Sequence, residues 1–386
     1  MSRTIVDLFK TQGFSAIQGV GGYVDFSIDR FEIFHRTAAY APPPYQKGMK
    51  VMVFPNDRDF MPQPWVPRDL ATYDTFYLDV VNGFDNFGPL FDFMVPGAEP
   101  GSWEEAMRGL KTDENGPRLD MRREIVLQLE NRVSMLTDYQ LPITETSERT
   151  LIAVPAKDVA RVKAGLTKFY QKDKDIKRHV LGDLEIWENV PPPKKEVPVV
   201  ELQMPGEKKR PGRGAQQSDP LMPNAAITVA YGHLMIASHL DFLLKVLQPR
   251  QPRDTLGRSI DFQIVSQGLN QLAPPLSAAR MFSRGDEEAR PTYELIRQGK
   301  LPQAQTMLAR MLNWFFNTGK NKSRQQKIEG RAMPDYEIVR RNLGPGGTYV
   351  VSENGGWFLG WFLKGFLLSK EQPVADATAR GSAGTP

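Results

Sequence analysis

The chain has 386 residues, 40% of them hydrophobic and 24% charged, and no cysteine, which excludes disulfides, thiolate metal sites and a cysteine nucleophile. Lys and Arg number 49 against 45 Asp and Glu, a net charge of +4, weak for a nucleic-acid binder, and there are only four histidines for imidazole chemistry. A chain of this length buries enough surface to fold without covalent staples.

Residues 1–20 carry Arg3, Asp7 and Lys10 and no apolar run, so they do not read as a secretory signal. No stretch approaches the roughly 18 apolar residues of a membrane-spanning helix; the most apolar one, Trp357 to Leu368, is interrupted by Lys364.

Ile5, Leu8 and Phe9 lie at helical spacing with Gly13 as a stop. The period then changes to two: Val24, Phe26 and Ile28 alternate with polar residues, Asp29-Arg30 reads as a turn, and Phe31 to Ala38 as the returning strand. Val51 to Phe54 suggests a short strand stopped by Pro55, and residues 55–72 an irregular proline-rich stretch. Phe84, Phe87, Phe91 and Met94 form a helical stripe in which Pro89 marks a kink or a helix start. Ser102 and Glu105 have the spacing of a capping box. A helix is expected after Asp120, a strand over Val133–Thr137 and another over Leu151–Val154. Asp158 caps a helix bearing Val162, Leu166 and Phe169, and Gly182-Asp183 turns into a strand over Leu184–Trp187.

Residues 191–223 are crowded with proline, glycine and basic residues, including Lys208-Lys209-Arg210 and Arg213. Such a segment buries too little to order itself, which predicts a disordered insertion. Beyond it, Ile227–Tyr231 and Leu234–Ala237 flank a turn at Gly232-His233, and Ser238 with Asp241 forms a capping pair for a leucine-rich helix. Ser259 caps a helix striped by Phe262, Val265 and Leu269. Pro302 opens an amphipathic helix running to Asn317, and Tyr336 to Leu343 a short one. Tyr349–Ser352, Asn354-Gly355 and Trp357–Leu368 predict a type I′ hairpin, with Trp361 buried under the helix that starts at Pro302. The tail is polar and expected to be disordered.

Strands joined by tight turns are antiparallel, so the expected fold is α+β, an antiparallel sheet of hairpins covered by amphipathic helices. The expected organisation is an N-terminal α+β module (1–145), a middle one (146–250, holding the insertion), a C-terminal helical segment with closing hairpin (251–370) and a disordered tail (371–386).

Candidate chemistry is sparse. Gly19-x-Gly21-Gly22 leads into a strand, not into the helix N-terminus that phosphate binding requires. Asp113, Asn115 and Glu124 fit three calcium-loop positions, but Pro117 and Arg118 stand where an oxygen ligand and glycine are needed. His233 and His239 would need a third metal ligand from elsewhere; His35 and His179 have no informative neighbours. Asp57, Asp59, Asp79, Asp85 and Asp92 are carboxylates whose acid–base use would require burial or a like charge. The basic runs Lys208–Arg213 and Lys320, Lys322, Arg324, Lys327, Arg331 read as solvated loops. No catalytic, cofactor-binding or metal residue is assigned, and no cofactor is expected.

Several stretches together resemble a bacterial family of unknown function whose members are exported or envelope-associated. They are the opening helix and hairpin, Pro117 to Asn131 with Asn115-Gly116 leading in, the strand and helix from Leu151, the Tyr231-Gly232-His233-Leu234 hairpin with its Ser-capped helix, and Met333-Pro334-Asp335-Tyr336 with Gly344-Pro345-Gly346-Gly347. The resemblance implies an extracytoplasmic location and a leader or anchor ahead of Met1, with the cytoplasm as the alternative; it supplies no catalytic residues. The favoured reading is a non-enzymatic binding or scaffold protein of the cell envelope, with a protein or apolar ligand as partner, peripheral membrane contact and no nucleic acid. The alternative is a hydrolase of unfamiliar type using scattered Asp and Glu carboxylates.

Overall fold

The computed structural model describes residues 5–28, 31–95, 97–190, 222, 224–305 and 326–364. Residues 191–221 and 223 of the insertion, the 29–30 turn, the stretch from 306 to 325 with Lys320, Lys322 and Arg324, and the chain from 365 onward lie outside them.

The strands in chain order are β1 (Gly19–Ile28), β2 (Phe31–Tyr40), β3 (Thr72–Tyr77), β4 (Arg132–Tyr139), β5 (Glu148–Pro155), β6 (Ile176–Leu181), β7 (Leu184–Asn189), β8 (Ala226–Ala230), β9 (His233–Ala237), β10 (Ala279–Arg284), β11 (Pro345–Glu353) and β12 (Gly356–Leu363). They form one sheet in the order β1-β2-β12-β11-β10-β3-β4-β5-β9-β8-β7-β6, antiparallel at every pairing. This is the expected α+β fold.

The helices divide between the two faces. On one face α7 (Leu240–Leu247) and α8 (Ile260–Leu272) cover the largest core, where Phe242, Leu243, Phe262 and Val265 meet Tyr73, Leu136, Leu151, Met235, Phe282, Tyr349 and Phe362. On the other, α5 (Met121–Glu124) and α6 (Val159–Tyr170) cover β5, β8 and β9 through Ile125, Val162, Val229 and Leu234. Strand β9 shows why both layers are needed: Met235 and Ala237 enter the first core, Leu234 and Ile236 the second. A strand apolar on both faces must be covered on both. Helix α9 (Gly285–Arg297) adds a small third cluster through Leu295 with Ile143 and Ala304. Its Glu288 accepts from the Ser283 hydroxyl. Burial, and then the Glu288 charge, push the carboxyl of Asp74 on β3 up to about 7. Among the described residues no helix is long and apolar enough to cross a membrane.

Several local expectations change in three dimensions. Val51–Phe54 is no strand; Lys47–Val51 is a 3-10 turn, anchored by fully buried Met49. The stretch 55–72 ends in β3, a central strand between β10 and β4. Pro89 opens a helix, α3 (Gly88–Met94), after α2 (Val80–Asp85). The next helix, α4 (Ser102–Thr112), is capped from outside: Asp92 of α3 accepts the Gly101 and Trp103 amide protons at 2.7 and 2.9 Å, while the Ser102 hydroxyl accepts from the Glu99 amide. Ser238 and Asp241 do not form the expected capping pair for α7 either; of the backbone amides, Asp241 accepts only that of its neighbour Phe242, at 2.7 Å. Ser238 Oγ accepts from the Thr150 amide at 3.0 Å, and Asp241 pairs with Arg149 at 2.9 Å. The β8–β9 turn sits one residue earlier, with Tyr231 and Gly232 both at positive φ.

The closing hairpin forms with the two-residue loop Asn354-Gly355, but not in the type I′ conformation, which needs both at positive φ. The left-handed residue is Gly356, at φ 134°. A Cβ there would lie 2.1 Å from the Ala39 carbonyl oxygen, so contact with β2 fixes this corner. Strand β12 also buries the other of its faces: Phe362 is fully buried, its ring 4.8 Å from Phe31, whereas Trp361 points away and is half-buried. Where the helix expected to cover it should begin, Leu301–Gln303 is a 3-10 turn, and residues 306–317 lie outside the described residues.

Candidate functional site

Four neighbouring strands end at one rim. Tyr77 closes β3, Arg132 opens β4, Pro155 closes β5 and His233 opens β9, with Tyr77 opposite Arg132 and Pro155 opposite His233. The 55–70 loop passes in front of them, pinned where Asp57 exchanges two backbone hydrogen bonds with Ser277 at 2.8 and 3.0 Å. Between loop and rim lies a cleft of about 330 Å³ lined by Asp57, Asp59, Tyr77, Glu130, Arg132 and His233, together with Gln63 and Asn131.

Arg132 is its structural centre. It is 6% exposed, pairs through Nη1 with Asp59, and donates through Nη2 to the Met61 carbonyl at 2.6 Å and to the Tyr73 hydroxyl at 3.3 Å. A buried guanidinium requires such partners to offset lost hydration, so Arg132 fastens the loop to the sheet. The Tyr77 hydroxyl donates to the Asp59 carbonyl at 2.7 Å, and burial pushes its pKa up to about 12; it stays a phenol. His233 is 8% exposed, with Trp65 edge-on at 5.2 Å. Its Nδ1 lies 2.7 Å from the Tyr231 carbonyl, which can only accept, so Nδ1 carries the proton and Nε2 the lone pair. Burial and the nearby Arg132 charge hold its pKa below the usual histidine value. Asp57, Asp59 and Glu130 are exposed, and neither Asp57 nor Glu130 has an ion-pair partner among the described residues. Three carboxylates face one guanidinium, leaving a net negative cleft rich in hydrogen-bond acceptors.

Of the residues weighed from sequence, the cleft gathers Asp57, Asp59 and His233. The others are elsewhere. His239 heads α7, His35 lies 2.8 Å from the Thr37 hydroxyl, and His179 pairs with Glu188 at 2.7 Å. Asp79 caps α2 by accepting from the Asn82 amide at 2.9 Å, Asp85 pairs with Arg122 at 2.7 Å, and Glu124 pairs with Lys168. Gly19, Gly21 and Gly22 lie within β1. Among the described residues no three His, Asp or Glu side chains converge to hold a metal. Arg132, Glu130 and Tyr77 escaped the sequence reading. The one local signal was a charged residue heading the expected strand Val133–Thr137.

No family model matches the chain, and no curated protein sequence matches it. Among solved structures it is similar to crystal form III of TP0453, with a TM-score of 0.29 and 7% identity over 80% of this chain and 82% of that one; a likeness this weak carries no functional inference.

Proposed function

We propose that this chain is a non-enzymatic binding or scaffold protein of the bacterial cell envelope, and that its rim cleft holds a small organic cation, an ammonium or guanidinium group. The observation that carries this reading is the cleft's inventory. Among the described residues Asp57 and Glu130 are exposed and without cationic partners, His233 offers a lone pair, and both terminal nitrogens of Arg132 are committed, to Asp59 and to Met61. Two carboxylates free of ion pairs among the described residues, beside the donor amides of Gln63 and Asn131, give the cleft a negative charge that suits a ligand bringing positive charge and donors of its own. Acid–base catalysis by carboxylates asks for one held buried and protonated, and the cleft's three acids are on the surface. The envelope assignment rests on the sequence resemblance.

Calorimetric titration with spermidine, putrescine and an arginine-rich peptide tests the reading. Binding is expected to weaken about tenfold or more in Glu130→Gln and Asp57→Asn, to fall with added salt, and to be accompanied by no hydrolysis of ester, peptide or glycoside substrates. Turnover of any of these that disappears in His233→Asn would replace the binding reading with the hydrolase alternative.

A further inference from the structure

Strand β1 is ten residues long and ends the sheet. It pairs with β2 on one side, and among the described residues no strand pairs with its other side. Val20 and Phe26 are 67% and 71% exposed, Tyr23 and Val24 48% each. A Cβ placed on Gly19 or Gly21 would meet nothing within 4 Å. The strand holds no proline or lysine, and Asp25 is its one charged residue. Native sheets protect long edges with charge, proline, bulges or a covering element; β1 has no proline, an unbroken register with β2 and only Asp25 for charge, and among the described residues no strand covers its outer side.

We infer that β1 pairs antiparallel with β1 of a second copy of this chain, joining two sheets across a two-fold axis perpendicular to them. Pairing across a ladder keeps side chains on a common face. Asp25 lies opposite Phe34, a member of the first core, so Tyr23 and Asp25 face the α8 side while Val20, Val24 and Phe26 face the other. A two-fold perpendicular to the sheet sets each residue against one of the same face. Centred on Tyr23, it places Phe26 against Val20 of the second copy and Asp25 against Gly21. Apolar groups meet apolar groups, and no like charges oppose each other. Centred on Asp25, it would oppose two carboxylates.

A second copy fits better than a foreign peptide. Peptides added to a sheet edge are selected by pockets for alternate side chains, and the flanks of β1 are flat, with open space over two glycines. An isologous pair needs no pocket, because the strand supplies both sides. The interface is five steps along the sheet from β3 and the rim cleft, so it stands whether or not the cleft binds cations.

Sedimentation velocity of the full chain, with two cysteine variants of this cysteine-free protein, tests the pairing. A dimer is expected at about 100 μM, weakened about tenfold or more by Phe26→Lys with the far-UV circular dichroism unchanged. Under mild oxidation Tyr23→Cys is expected to form a disulfide-linked dimer, since directly opposed residues bring Cβ atoms to about 4.5–5.5 Å, a gap that a small shift between the strands closes. Val180→Cys, exposed on β6 at the opposite end of the sheet, is expected to form no disulfide link while keeping the non-covalent dimer. A wild-type monomer at that concentration, a dimer indifferent to Phe26→Lys, or cross-linking no faster at position 23 than at 180 would each overturn the inference.

Discussion

The two edges of the sheet solve the same problem differently. Strand β6 is short, and three of its six residues are Lys177, Arg178 and His179. Arg178 pairs with Glu185 and lies 5.8 Å from the Trp187 ring centroid, while His179 pairs with Glu188. Its exposed Val180 and Leu181 therefore sit beside charges that must be desolvated before another strand can dock. Strand β1 is longer, carries one carboxylate and exposes four large apolar side chains. Both are edges by topology; β1, with one carboxylate against Lys177, Arg178 and His179 on β6, carries the smaller penalty against pairing. An edge left open while its counterpart is guarded marks an interface rather than a neglected margin.

The largest expected effects lie just inside those edges, where burial is complete. Phe362 on β12 and Ile186 on β7 are both fully buried. Phe362→Ala should lower stability by about 3–5 kcal/mol and Ile186→Ala by about 2–5 kcal/mol, the ranges for large-to-small core substitutions, as read by urea unfolding. Trp361→Ala, half-buried on the opposite face, should lose clearly less than Phe362→Ala. A reversed order would put the tryptophan face of β12 in the core and remake the β1 end of the sheet.

Midway between the edges, Asp74 reports how well the sheet is closed. Its carboxyl, pushed up to about 7 from an ordinary 3.8 by burial and then by Glu288, binds a proton more tightly in the folded than in the unfolded chain. That contribution to stability is complete below pH 3.8 and is lost as pH rises through about 7. Unfolding free energies measured from pH 4 to 8 should therefore carry a component that falls with pH, and Asp74→Asn should remove it. An unchanged profile would mean that water reaches this carboxyl freely.

The smallest effects on stability fall at the edges themselves. Phe26→Lys and Val180→Lys should each shift the monomer's unfolding free energy by no more than about 0.5 kcal/mol, as surface changes do. Association is the more telling measurement. Replacing Lys177 and Arg178 together by Val should make β6 adhesive, raising light scattering at a concentration where the parent stays clear. If scattering stays level, the charges on β6 are not what keeps that edge apart.

Much of this architecture was legible residue by residue. The β8–β9 and β11–β12 hairpins declare themselves as apolar runs around two-residue turns, and the stripe of Phe262, Val265 and Leu269 declares α8, because period and turn chemistry are local. Strand β3 was missed although Thr72 to Tyr77 alternates in β-formers; a proline-rich approach masked it. The capping partners were misjudged because Asp92, which caps α4, comes from a preceding helix.

Sequence alone determined the antiparallel character of the sheet, the amphipathic helices and the absence of thiol chemistry, since each depends on spacing or composition. Only the tertiary structure decided which face of β12 is buried. With Trp357 and Trp361 on one side and Phe358 and Phe362 on the other, the strand carries no polarity to choose between them. The same holds for the cleft. Asp57, Arg132 and His233 are far apart in the chain and meet because β3, β4, β5 and β9 end side by side. Strand order is set by long-range pairing that no local pattern encodes.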